Sequence, residues 1–187
     1  PAQPAQPAQP AQAQVTLRAI EASLAADTDS DLREKAKLRL ARAKLLARSG
    51  DAEAAIRELQ SLTSQQPDHL EATLTLVALY SAANRWQSVE QLIPALTEQP
   101  ALADLALYLE GRTAYARGRI GRARAKFEAA LETQPDRANR LSPSLYFYRS
   151  QCLDALNRPA EARADLQKAF DADFRPESTN SGKVVKF

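Results

Sequence analysis

Cysteine and histidine occur once each and methionine not at all among the 187 residues. Cys152 alone cannot close an internal disulfide, and His69 lies too far from it in sequence to suggest a metal-ligand spacing. No cofactor is therefore expected. No Ser, His and Asp nucleophilic set is read around the single histidine, because it follows Pro67-Asp68 at a helix start, where a solvated position is expected. Only five glycines occur, so tight β-turns must be few, and the scarcity of Val, Ile and aromatics beside abundant Ala and Leu favours helix over sheet. No apolar run approaches the roughly 20 residues of a membrane-spanning helix, so this segment is not expected to insert directly into a membrane. A start at Pro1 without methionine points to a piece excised from a longer product, because proline is unfavourable directly after a signal-peptidase cut. The carboxylate pairs Glu53 with Glu58 and Asp165 with Asp171 are expected on exposed helix faces, serving solubility rather than acid-base catalysis. No phosphate-cradling glycine loop follows a strand, and the chain is not read as an enzyme.

What the chain does have is charge in stripes. Residues 31–48 carry seven basic and two acidic side chains, a net +5, and residues 112–126 carry six basic and none acidic. Residues 51–100 carry two basic and seven acidic, a net −5, while the whole chain sums to only +2. Such a small total does not call for a polyanion partner. Arg117, Arg119, Arg122, Arg124 and Lys126, extended by Lys35, Lys37, Arg39 and Lys44, could line a polyanion surface, but successive basic residues around a helix point in different directions. A solvated outer face is the plainer reading, and nucleic acid is not the expected partner.

Residues 1–14 read PAQPAQPAQPAQAQ, a period of three that suits an extended polyproline II linker. Leu17, Ile20 and Leu24 recur at helical spacing and predict a short helix over 15–26. Thr28-Asp29-Ser30-Asp31 offers a capping start for a second helix reaching Ser49, Gly50 stops it, Asp51 caps the next, and that one runs over 52–65 to end before Pro67. Gly50, Asn84, Gly118 and Asn157 each stand between two helices, spaced by 34, 34 and 39 residues. Five residues after each comes a small side chain, Ala55, Val89, Ala123 or Ala162, and four further a large one, Leu59, Ile93, Phe127 or Leu166. Pro67, Pro100, Pro135 and a late Pro176 close the pattern.

A 34-residue period with these small, large and proline positions resembles the tetratricopeptide repeat (TPR) family. The match is fullest at 104–137, through Gly111, Gly118, Ala123, Phe127, Ala130 and Pro135; Tyr80 and Trp86 carry it in the second unit, and an insertion at 138–142 precedes the fourth. The resemblance implies an all-α fold, a right-handed α-solenoid of about four helix pairs plus an N-terminal helix. The expected organisation is a linker at 1–14, a repeat domain at 15–174 with units near 36–69, 70–102, 104–137 and 143–171, and a tail at 175–187.

In this family the first helix of each unit lines a concave, ligand-facing surface. Carried over position by position, the resemblance puts Lys37, Leu40, Lys44 and Arg48 on that surface from the first unit, and Leu74, Thr75, Ala78 and Ser81 from the second. The third supplies Tyr108, Leu109, Arg112 and Tyr115, and the fourth Phe147, Tyr148, Gln151 and Asp154. Phe147 and Tyr148 are adjacent, so at least one should turn into the core. The Lys and Asn constellation by which some members hold a C-terminal carboxylate is missing, since Leu40 and Lys44 stand at its places. The implied partner is a protein or peptide segment with apolar and acidic residues, the acidic stretch meeting Lys37, Lys44 and Arg48. Cys152 is expected to be buried and inert. A scaffold or adaptor in a bacterial envelope assembly, periplasmic rather than cytoplasmic, is the expected setting. A regulatory domain of a larger membrane-anchored enzyme or export component, and a polyanion binder, are the rivals.

Overall fold

The computed structural model describes residues 9–26, 32–133 and 141–171. Among the described residues the chain is all-helical: α1 (Gln9–Ala26), α2 (Leu32–Arg48), α3 (Ala52–Gln65), α4 (Leu70–Ala82), α5 (Trp86–Thr97), α6 (Ala103–Ala116), α7 (Ile120–Glu132), α8 (Ser142–Ala155) and α9 (Pro159–Asp171), with one 3-10 turn at Pro100–Leu102. The capping sequence at Thr28 to Asp31, most of the 138–142 insertion, residues 1–8 and the tail at 175–187 lie outside the described residues. Helix α1 starts earlier than expected, inside the PAQ repeat. Proline is tolerated in a helix's first turn, and alanine and glutamine propagate helix well, so residues 9–14 are helical rather than linker.

Each of the four turn residues adopts a left-handed conformation: Gly50 at φ 93°, Asn84 at 55°, Gly118 at 70° and Asn157 at 58°. Around them one hydrogen-bond pattern recurs. The Gly50 N–H donates to the Ala47 carbonyl at 3.2 Å and the Asp51 N–H to Leu46 at 2.9 Å. The same two bonds run from Asn84 to Ser81 and Arg85 to Tyr80, from Gly118 to Tyr115 and Arg119 to Ala114, and from Asn157 to Asp154 and Arg158 to Leu153. This is the Schellman arrangement, which satisfies the last carbonyls of a helix and requires a residue that accepts positive φ. Asp51 then starts α3, its carboxylate accepting the Ala54 N–H at 3.0 Å.

The chain forms two compact units, 1–85 and 86–187, divided just after the Asn84 turn. In the first, α1 packs on α2, α2 pairs with α3, and α3 contacts α4. In the second, α5 packs on α6, α6 pairs with α7, α7 contacts α8, and α8 pairs with α9. The repeat positions explain the packing. Ala55, Val89 and Ala123 are fully buried, as are Leu59 and Phe127, with Ile93 and Ala162 nearly so. Gly111 on α6 faces the Phe127 ring so closely that an added Cβ would lie 2.6 Å from Cδ1. A small residue there lets two helices approach over a large side chain, and burying each such side chain is worth about 2–3 kcal/mol. Leu166, at the large position of the last repeat, is only half-buried, and Phe170 beyond it is exposed.

Candidate functional site

In the first unit the α2 and α4 faces are polar. Lys44 of α2 donates to Glu71 of α4 at 2.5 Å, and this bond together with the lysine charge holds the Glu71 carboxyl below the usual carboxylate range. Lys37 and Arg48 are exposed, as is Ala78; Leu74, Thr75 and Ser81 are half-buried. Leu40 is corrected by the structure: only 6% of it is exposed, so it is a core residue and is not available to a ligand. Its α-helical neighbours carry the polar surface instead. Arg39 donates to Glu58 at 2.7 Å, Gln65 at 2.7 Å and Ser61 at 2.8 Å, and Arg42 pairs with both Glu58 at 3.3 Å and Glu21 at 2.9 Å.

The second unit presents aromatics. Tyr148 of α8 is their hub, with Phe127 stacked at 6.0 Å, Tyr108 at 6.2 Å, Tyr115 edge-on at 6.3 Å and Phe147 edge-on at 5.2 Å between centroids. Tyr108, Tyr115 and Tyr148 pack against the core cluster of Ala114, Ala123, Phe127, Ala130, Leu145 and Cys152, which consumes their inner edges. Of the adjacent pair, it is Tyr148 that turns to this core. Arg112 rests on this surface, its guanidinium carbon 3.8 Å from the Tyr148 ring centre and 4.4 Å from that of Trp86, while Nη1 donates to the Tyr108 hydroxyl at 2.8 Å. Gln151 on α8 is half-buried, Asp154 is exposed, and Leu109, like Leu40, is core. Burial and the nearby Cys152 raise the Tyr115 hydroxyl above its ordinary pKa. Cys152 itself is completely buried, and burial pushes its thiol up to about 11.

Glu58, expected on an exposed face, is half-buried, its side chain 15% exposed where Arg39 and Arg42 converge on it. Other expectations change too. Asp165 is buried rather than exposed, accepting two hydrogen bonds from Arg149 at 2.5 and 2.7 Å, which raise the Arg149 pKa further. His69 is half-buried and caps α4, Nδ1 accepting the Ala72 N–H at 3.3 Å. Trp86, read from sequence only as a signature residue, belongs to the aromatic surface; its place directly after the Asn84 turn was the available signal.

Part of the charge in the stripes is spent inside the fold. Besides the pairs on α2, Arg85 pairs with Glu53, Arg117 with Glu90, Lys126 with Glu110 and Arg124 with Glu128. Arg119 and Arg122 stay exposed at the mouth of a pocket whose other walls include Glu90 and Glu110, so its lining is of mixed sign. Among the described residues no group of His, Cys, Asp and Glu could hold a metal ion, and no helix is long and apolar enough to cross a membrane.

Against solved structures the chain is similar to MamA MSR-1, with a TM-score of 0.64 at 15% identity over 87% of this chain and 88% of that one. Another crystal structure of MamA gives 0.68 at 16%, covering 87% and 90%. A tetratricopeptide repeat protein from Parabacteroides merdae gives 0.65 at 21%, covering 87% of this chain and 59% of that one. These likenesses show the fold, sequential helix pairs of the TPR solenoid type. No curated protein matches the sequence. Two tetratricopeptide repeat models match in succession, over residues 46–110 and 108–176. Modules of this kind generally bind protein segments and are typically non-catalytic. From repeat spacing, turn geometry, helix pairing and these matches, the chain belongs to the tetratricopeptide repeat family.

Proposed function

We propose that this chain is a scaffold or adaptor that captures a partner segment on the faces of its first helices, α2 and α4 in one unit and α6 and α8 in the other. The observation that carries this reading is the aromatic surface of the second unit. Tyr108, Tyr115, Phe147 and Tyr148 are all half-buried on α6 and α8, as are Arg112, stacked on Tyr148, and Gln151. Aromatic and arginine side chains held rigid by packing supply binding energy at little entropic cost, which is why they dominate interaction hot spots. Lys37 and Arg48 on α2 add an exposed basic element to the first unit. An extended or helical segment with an apolar anchor and acidic residues suits both surfaces.

Nine Lys and Arg side chains among the described residues pair with carboxylates, which reduces the positive charge left to follow a phosphate backbone and makes the polyanion role the weaker rival. Placement in a bacterial envelope assembly, directly or as a regulatory domain of a membrane-anchored chain, is supported by the PAQ spacer sequence; fractionation of source cells tests it. The binding reading is tested by affinity capture with Phe147→Ser and Gln151→Ala together. Loss of the captured partner with helicity intact is expected, and undiminished capture contradicts the assignment.

A further inference from the structure

Five cations of the second unit, Arg117, Arg124, Lys126, Arg149 and Arg158, each meet a carboxylate. Arg119, Arg122, Arg163 and Lys168 are exposed. Among the described residues of this unit, Arg112 is the cation that is half-buried without a carboxylate. Its guanidinium is half-buried, fixed by the Tyr148 and Trp86 rings and by one hydrogen bond to the Tyr108 hydroxyl. Of its five N–H groups the others have no acceptor among the described residues. Desolvating a guanidinium on aromatic faces is tolerable because stacking and cation–π attraction compensate, and stacking engages the faces of the guanidinium rather than its edge of donors. The result is a cation held in one orientation with a donor fork unspent, the geometry that accepts a carboxylate bidentately.

We propose that Arg112 receives a side-chain carboxylate, Asp or Glu, from an internal stretch of the partner segment. The inference rests on the reading that the first-helix faces bind the partner, and it moves the acid-reading role from the first unit's Lys44, already paired with Glu71, to the second. A side chain is favoured over a C-terminal carboxylate by reach. Among the described residues Arg112 is the one cation over the Tyr148 and Trp86 ring faces, its guanidinium carbon 3.8 and 4.4 Å from their centres. A terminal carboxylate needs several donors converging at the level of the main chain, whereas Asp or Glu can extend into the aromatic surface while flanking apolar side chains cover Phe147 and Tyr148.

The test selects peptides on the full chain from a randomised library displayed with its C-terminus fused, which offers internal carboxylates only. Selected sequences are synthesised with free and amidated C-termini and titrated by the fluorescence of Trp86, the single tryptophan, which lies on Arg112. The expected peptides carry Asp or Glu beside an apolar residue, and changing that acid to its amide weakens binding roughly tenfold. On Arg112→Gln, with circular dichroism unchanged, the same peptide change should make no difference, and Arg112→Lys should keep part of the discrimination. An acid-to-amide effect of equal size on all three proteins overturns the proposal, as does binding that depends on a free C-terminus. Binding untouched by Phe147→Ser with Gln151→Ala shows instead that the face is not the site, and the underlying reading falls.

Discussion

The two units share a helix-pairing rule and differ in how their surfaces use charge. In the first, arginine and lysine on α2 reach acidic residues on neighbouring helices, Arg39 and Arg42 to Glu58 and Lys44 to Glu71, forming a polar network over an Ala and Leu core. In the second, ion pairs coexist with an aromatic surface on which Arg112 is stacked without a carboxylate. A net-charge stripe in sequence therefore says little about a ligand until its partners in space are known: part of each basic stripe here pairs with the acidic one.

The comparison breaks most sharply at the cores. Phe127→Ala removes the fully buried ring that Gly111 and Tyr148 pack against, and it should cost about 3–5 kcal/mol in urea unfolding, with the second unit losing structure first. Hydrogen exchange that protects both units equally in this variant would contradict the division. Asp165→Ala leaves Arg149, 19% exposed, without its carboxylate and should destabilise by about 3 kcal/mol. In the first unit Glu58→Gln weakens a network of two arginines with side chains 19% and 32% exposed, and about 1 kcal/mol is expected. An effect as large as that of Asp165→Ala would mean that the surface network is as desolvated as the buried pair.

The smallest effect concerns pH. Burial raises the Cys152 thiol from 9.0 to about 11, so the folded state retains a proton that the unfolded chain has lost. This contribution is fully present below pH 9 and declines as pH rises towards 11. Tyr115, also raised, acts in the same direction at higher pH. Stability should fall through this window less steeply in Cys152→Ala, and the thiol should resist alkylation in the folded chain at neutral pH. Rapid alkylation without unfolding would show an accessible thiolate.

Much of the fold was legible because its turns are chemically demanding. A left-handed residue that closes a Schellman motif must be Gly or Asn, and four such residues at near-constant spacing reveal the pairing. Small and large repeat positions follow from helix contact and were readable for the same reason. The site was legible only as a set of positions. Repeat register put Leu40 and Leu109 on a ligand-facing surface, yet whether such a residue is exposed depends on the neighbouring helix, and both are buried. Asp165 reads as a surface acid because its partner Arg149 lies 16 residues away across a helix pair, with no local mark. The stacking of Trp86, Arg112 and Tyr148 joins three helices that sequence spacing alone does not bring together.

The central claim is that partner capture takes place on the first-helix faces. A photo-crosslinking amino acid placed in turn at Arg48 and Gln151 on those faces, and at the exposed Arg57 and Ala164 on second helices, tests it in source cells. Adducts are expected from Gln151 and from Arg48, and none from Arg57 or Ala164. Adducts formed equally from Arg57 and Ala164, or from them alone, would contradict it.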